Sequence, residues 1–329
     1  MTFTRRSLGT LAAGALGSTA FPALAQPEAP KRQFLSLATS SVGGSWYPLG
    51  SAMASVVGKH YPQLNINTEV TGGTNDNLNL LRRKEVDLAL STNDQAYLAQ
   101  HGEGAFKDAP ITGFSGLLGG HIIIWQLYTL RRTGITKIAD LRGKRVSLGA
   151  AGSIGNDVGR IVIEAHGLKM GQDWQPEYIG HSDGSGALKD SRVDAVLNIT
   201  STPTSAITEI TSTDGADVIF VNPDPPVLDR LMERYPYWSK AEIPAGVYKG
   251  HDRDIPGSFG VTTILVASNS LSEPAAYAIT KTLIEHQSEV AAANALGKEW
   301  TRAHATRGIK GVLPFHPGAE RYLKEQGLL

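Results

Sequence analysis

The chain has 329 residues, with 31 lysines and arginines against 31 aspartates and glutamates, so it carries no formal net charge and no basic surface of the kind nucleic acid needs. It has no cysteine, which excludes disulfides, a thiol nucleophile and a lipid anchored at a lipobox cysteine, and removes the usual ligands of a structural zinc site. The length is enough for two lobes, each with its own core.

In chain order, residues 1–25 read as an export signal: Arg5-Arg6, a weakly apolar run from Leu8 to Phe21, and the A-x-A site Ala23-Leu24-Ala25. The apolar run is shorter than the roughly 20 residues of a membrane span, and the arginine pair fits either the Sec or the twin-arginine route. The expectation is a periplasmic protein cleaved near Ala25. After a Pro-containing lead-in, strand-length apolar runs alternate with amphipathic stretches. The pattern predicts strand Phe34 to Ala38, helix Ser45 to Lys59, strand Leu64 to Val70, helix Asn75 to Arg83, strand Val86 to Ser91 and helix Asp94 to Gln100.

The same order repeats after the apolar stretch His121 to Leu130. A strand at Arg145 to Leu148 leads to a Gly/Ser loop, a helix to His166, a strand near Glu177 to Ile179, a short helix near Ser185 to Lys189 and a strand Val193 to Asn198. Strand Val261 to Ala267, a long helical pattern Glu273 to Leu296 and a helix near Ala319 to Gln326 close the chain. Such alternation implies α/β architecture with mainly parallel strands and right-handed crossovers. Internal similarity between Val86-Asp87-Leu88-Ala89 and Val193-Asp194-Ala195-Val196 points to two like lobes. The predicted fold is a two-lobed periplasmic binding protein of type II, with two hinge strands and a ligand cleft between the lobes. Lobe one covers 26–125, lobe two covers 126–262, and 263–329 returns to lobe one.

In open α/β sheets ligands sit beyond the carboxyl ends of strands. The loops there are rich in Gly, Ser, Thr and Asn, which supply close backbone approach and donors, and each leads into a helix whose first amides lack intrahelical partners. This singles out Ser40, Ser41, Gly43, Gly44, Trp46 and Tyr47, then Thr71, Gly73 and Asn75, then Asn93 and Asp94 in lobe one. In lobe two it singles out Ser153, Asn156, Asn198, Thr200 and Thr202. Side chains alternate along a strand, so the even positions Asn198, Thr200 and Thr202 are expected to face the cleft. Trp46 and Tyr47 could equally be core or cap, and Asn93 and Asp94 could simply cap a helix.

No G-x-S-x-G elbow, no H-E-x-x-H and no dinucleotide G-x-G-x-x-G spacing occurs. The histidines show no close pair at metal-ligand spacing and read as structural. No cofactor, metal or catalytic role is expected. The arginine pairs Arg82-Arg83 and Arg131-Arg132 read as solvated faces.

Ser40-Ser41-Val42-Gly43-Gly44-Ser45-Trp46-Tyr47-Pro48-Leu49-Gly50 resembles the opening motif of the TAXI family, the solute-binding receptors of TRAP transporters. Asp140-Leu141-Arg142-Gly143-Lys144, Val193-Asp194-Ala195-Val196 and Pro314-Phe315-His316-Pro317-Gly318 resemble later stretches of the same family. The resemblance implies a monomeric receptor that takes glutamate, 2-oxoglutarate or another carboxylate or amino acid, with a TRAP-type membrane permease as partner, and it places a Thr-Gly-Gly run like Thr71-Gly72-Gly73 at the cleft. Where the family has a Gly-x-Pro turn, this chain reads Thr200-Ser201-Thr202-Pro203, a more polar lobe-two end. The alternatives are an ABC-importer receptor for sulfonate-like or pyrimidine-precursor solutes, a periplasmic sensor serving a signalling receptor, and an exported enzyme.

Overall fold

Residues 29–329 are described by the computed structural model, and the export signal expected over 1–25 lies outside them. Lobe one opens with β1 (Gln33–Ala38), α1 (Trp46–His60), β2 (Leu64–Glu69), α2 (Thr74–Arg82), β3 (Leu88–Thr92) and α3 (Asn93–His101). Helix α1 forms because Leu49, Met53, Val56 and Val57 fall on one buried stripe, while β3 is buried at every position, as a strand covered on both faces must be.

The chain then enters β4 (Phe114–Leu130), followed in lobe two by β5 (Arg145–Ser147), α4 (Ile154–Ala165), β6 (Gln175–Glu177), α5 (His181–Lys189) and β7 (Ala195–Thr200). After these come α6 (Ser205–Asp214), β8 (Val218–Phe220), α7 (Pro225–Arg234), β9 (Ser239–Ile243), β10 (Ile255–Ser268), α8 (Glu273–Glu285), α9 (Gln287–Ala293) and α10 (Pro317–Glu325).

One sheet runs through both lobes in the order β2-β1-β3-β10-β4-β7-β5-β6, with β8 added on β4 and β9 on β10. Strands β1, β2 and β3 are parallel, and so are β5, β6 and β7. Two long antiparallel strands join the halves. Strand β4 pairs with β10 up to Ile124, and from Ile124 onward it pairs with β7. Strand β10 pairs with β9 as far as Gly260 and with β3 from Thr263. The lobes are therefore linked at Ile124 and at Gly260 to Thr263, a hinge made of sheet rather than loop.

The sequence pattern and the structure differ in several places, strands β8 and β9 among them, neither of which was expected. The helix expected over Glu273 to Leu296 breaks at His286, whose ring stacks on His60 with centroids 3.5 Å apart. Helix α5 starts at His181, four residues before its expected start at Ser185, and the whole of α6 was hidden. In α6 the Thr208 and Thr211 hydroxyls bond back to the carbonyls of Thr204 and Ile207, at 2.9 and 2.7 Å, which satisfies residues that by composition favour turns.

Candidate functional site

Two helices of each lobe begin at the same cavity. Lobe one contributes Ser45 and Trp46 at the start of α1 and Gly73 and Thr74 at the start of α2, with Ser40 beside them. Lobe two contributes Ser153, Ile154 and Gly155 at the start of α4 and His181 at the start of α5. None of the four helices carries a side-chain cap hydrogen bond at its N-terminus. Their positive dipole ends thus converge from both sides on one space, an arrangement that favours negative charge, although the second and third amides of α2, those of Asn75 and Asp76, are taken by the Gly152 carbonyl.

The rest of the lining is apolar: Ile123 from the hinge strand β4, Leu148 after β5, and Leu197 and Ile199 from β7, with Thr200 at the strand end. The cavity holds about 410 Å³ of space between atoms. No Asp, Glu, Lys or Arg lines it among the described residues.

The hydroxyls of the three serines and of Thr200 are already engaged. Ser45 Oγ lies 3.0 Å from Thr200 Oγ1, bridging the lobes; Ser153 Oγ donates to the Leu148 carbonyl at 2.9 Å; Ser40 Oγ donates to the Ser41 carbonyl at 3.3 Å. His181 differs. It is 9% exposed, its Nδ1 makes no hydrogen bond within 3.5 Å among the described residues, and burial pushes its imidazole below the ordinary value, opposed by the Asn198 side chain beside the ring. Burial therefore favours the neutral ring, which lines the cavity beside the start of α5.

Of the residues singled out from the sequence, Ser40, Trp46, Gly73, Ser153 and Thr200 line this cavity. The others sit elsewhere. The Gly43 carbonyl accepts from Thr204 Oγ1 at 2.9 Å, Ser205 Oγ at 3.0 Å and the Ala206 amide at 3.4 Å, so it latches lobe one to α6. A Cβ at Gly43, with φ +85°, would fall 2.1 Å from Ser182 Oγ, and one at Gly72 would fall 2.0 Å from the Ala151 carbonyl. Gly43, expected to admit a ligand, thus admits the opposite lobe instead, while Gly72 and Gly73 line the cavity.

Gly44 packs between Ser40 and His181, and the Ser41 hydroxyl faces the His181 amide at 3.5 Å. Tyr47 is 37% exposed. Thr71 donates to Asn77 Oδ1 at 2.6 Å and braces its own loop. The Asn75 and Asp76 amides bond the Gly152 carbonyl at 2.8 and 3.1 Å, and Asn75 Nδ2 bonds Asp157 Oδ2 at 2.5 Å, a second latch across the lobes.

Asn156 holds the loop before α4 through the Leu148 and Ala150 carbonyls, and Asn93 accepts from the Thr262 amide at 3.0 Å. Asp94 is 1% exposed, accepts from Gln95 at 3.2 Å and is held well above the usual carboxylate range by burial. Thr202 has a buried hydroxyl without a partner.

The expected parity on β7 does not hold. Thr200 reaches the cavity, but so do Leu197 and Ile199, while Asn198 turns toward the Tyr128 hydroxyl at 3.4 Å. Strict alternation serves a regular strand, and Thr200 is the residue at which β7 ends.

Sequence reasoning missed His181, because Gly184 and Gly186 make α5 a poor helix on propensity and hid its true start. The signal that could have found it is Gly180-His181-Ser182 directly after an apolar Tyr178-Ile179, the same strand-to-helix context as the other loops. The arginine pairs stay away from the cavity: Arg83 pairs with Glu85, and Arg132 donates to the Leu188 and Lys189 carbonyls. Folding also brings together histidines distant in sequence, since His60 and His286 both contact Glu289 Oε1, at 2.9 and 3.1 Å. Lys59 bonds the other oxygen of that carboxylate at 2.7 Å, leaving the group a self-satisfied ionic cluster.

The description of the NMT1-like family matches residues 37–327, nearly all of the described chain. The chain belongs to the NMT1-like family. This corrects the TAXI and TRAP expectation: the motifs that suggested it are short and loop-bound, whereas the family match spans both lobes.

In fold, this NMT1-like chain is similar to the periplasmic binding protein BugD, at 14% identity and TM-score 0.53, over 90% of this chain and 98% of that one. It is also similar to a protein from Bordetella bronchiseptica RB50, at 16% identity and TM-score 0.51, over 88% of each chain. The alkanesulfonate-binding protein SsuA from Xanthomonas axonopodis pv. citri bound to MOPS is a looser likeness, at 16% identity and TM-score 0.48 over 90% and 85% of the two chains. The fold is that of the periplasmic binding proteins, as the two-lobed sequence pattern predicted.

Proposed function

We propose that this chain is a periplasmic solute-binding receptor that captures a small organic anion between its lobes and delivers it, unchanged, to the permease of an ABC importer. The observation that carries the capture is the convergence of four helix N-termini, two from each lobe, on one cavity beside the unpartnered Nδ1 of His181. Fixed dipoles and amides hold an anion without a counter-charge, and drawing half of them from each lobe couples capture to closure. Binding without conversion is supported by the cavity serines, each of whose hydroxyls is tied to a neighbouring carbonyl or hydroxyl rather than to His181. Delivery to an ABC permease takes the place of the TRAP partner, in keeping with membership of the NMT1-like family.

The test has two arms. The mature protein is incubated with a small-anion library, and native mass spectrometry with small-angle scattering should show one solute retained at unchanged mass and a compaction of the chain. Loaded receptor added to vesicles containing an ABC importer encoded beside it should raise ATP hydrolysis severalfold. A solute recovered with altered mass would overturn the receptor reading, and unchanged ATP hydrolysis would remove the importer.

A further inference from the structure

We propose that the solute is a compact, singly charged anion with an apolar body and no ammonium group. This rests on the receptor reading and narrows it to one chemical class. The reasoning starts from the absence of formal charge in the lining. An α-amino acid brings an ammonium group whose removal from water has to be offset by a carboxylate or several acceptors. The cavity offers no acidic side chain among the described residues. Of the acids close by, Asp157 is bound to Asn75 at 2.5 Å, Asp76 accepts from the Gly72 amide at 2.9 Å, and neither lines it.

A dicarboxylate fails for the complementary reason. No Lys or Arg lines the cavity to meet a second charge, and Ile123, Leu148, Leu197 and Ile199 offer it neither cation nor donor. The lining can neutralise one negative group, through the helix N-termini and His181, which is 9% exposed and has an Nδ1 without a partner. Its apolar side chains can only remove apolar surface from water. The space of about 410 Å³ between atoms, with little free room inside it, limits the body to a few carbons.

The test is calorimetric titration of the mature protein at pH 7 with a matched set: butyrate and propanesulfonate as monoanions, 2-aminobutyrate as zwitterion, succinate as dianion and n-butanol as the uncharged control. At least one monoanion should bind ten times more tightly than each of the other three. Tighter binding of 2-aminobutyrate or succinate overturns the proposal and leaves a receptor standing. Equal binding of butanol overturns the requirement for charge. Absence of binding by all five, with a library that also yields no retained solute, overturns the receptor reading itself.

Discussion

Two buried imidazoles in this chain, His121 and His181, have opposite surroundings. His121, 2% exposed, has both nitrogens occupied: Trp300 Nε1 donates to its Nδ1 at 3.1 Å, which leaves the proton on Nε2, 3.3 Å from Thr263 Oγ1. Thr263 in turn accepts from Trp46 Nε1 at 3.3 Å, so the relay ends at the aromatic wall of the cavity. His181 is also buried, at 9% exposed, and has no partner at Nδ1 among the described residues. A buried group whose hydrogen bonds are complete serves the fold, and a buried group with one left open at a cavity serves whatever enters it.

The comparison is broken most forcefully at His121. His121→Ala leaves the Trp300 and Thr263 groups without partners and opens a void, and should lower unfolding free energy by about 3 kcal/mol in urea titrations, with solute affinity of the folded protein within twofold. A variant as stable as the parent would show that the relay is dispensable. The pH dependence carries the same signature. Burial pushes the His121 imidazole from 6.5 to about 3, so between those values the unfolded chain binds a proton that the native chain does not. Stability secured at neutral pH should therefore fall as pH drops through that window, and the slope should be shallower in His121→Ala.

His181→Ala is the converse. With no Nδ1 bond to lose, stability should change by less than about 1 kcal/mol, while affinity for the bound monoanion should fall at least tenfold, the loss of a hydrogen bond to a charged group. A large fall in melting temperature with intact affinity would reverse the assignment of the two histidines.

Thr200→Val is a smaller change. It keeps the side-chain shape, removes the bridge to Ser45 and should weaken binding roughly threefold to tenfold, about 1 kcal/mol. Ile199→Val serves as the packing control, and equal affinity of parent and Thr200→Val would show that this hydroxyl does not read the solute.

The smallest effect expected is on pH. Burial holds His181 below its ordinary value, and a bound anion favours the protonated ring, so binding takes up a proton. Affinity for propanesulfonate, which stays ionised throughout, should rise about twofold to threefold from pH 8 to 5.5, and His181→Ala should be flat.

The two histidines also mark what a sequence can disclose. The alternation of strands and helices was legible because periodicity is local, and so was the location of the site beyond the strand ends. Ser40, Trp46 and Ser153 could be placed at the cavity because each stands between a strand pattern and a helix pattern. The role of the glycines was not legible. Whether Gly43 faces a solute or a second lobe depends on the closure of the hinge, which no local pattern carries. Nor could the chain order tell His121 from His181, since their partners Trp300, Thr263 and Asn198 lie far away in sequence. The TAXI resemblance shows the same limit, because loop motifs that suit anion-binding helix starts recur wherever that geometry recurs.

The contact between Gly72 and Ala151 has a further consequence. Where two main chains meet with no side chain between them, the closed position is a mechanical stop, set by backbone and indifferent to cargo. The molecule then behaves as a go/no-go gauge. Cargo that fits under the stop produces one outer shape, and cargo that is too large leaves the jaws ajar with both latches unmade. The separation of spin labels on α2 and α4 should accordingly take a single value with every solute that closes the receptor. A membrane partner would need to recognise only that one shape, and the identity of the cargo would already have been decided before the two proteins met.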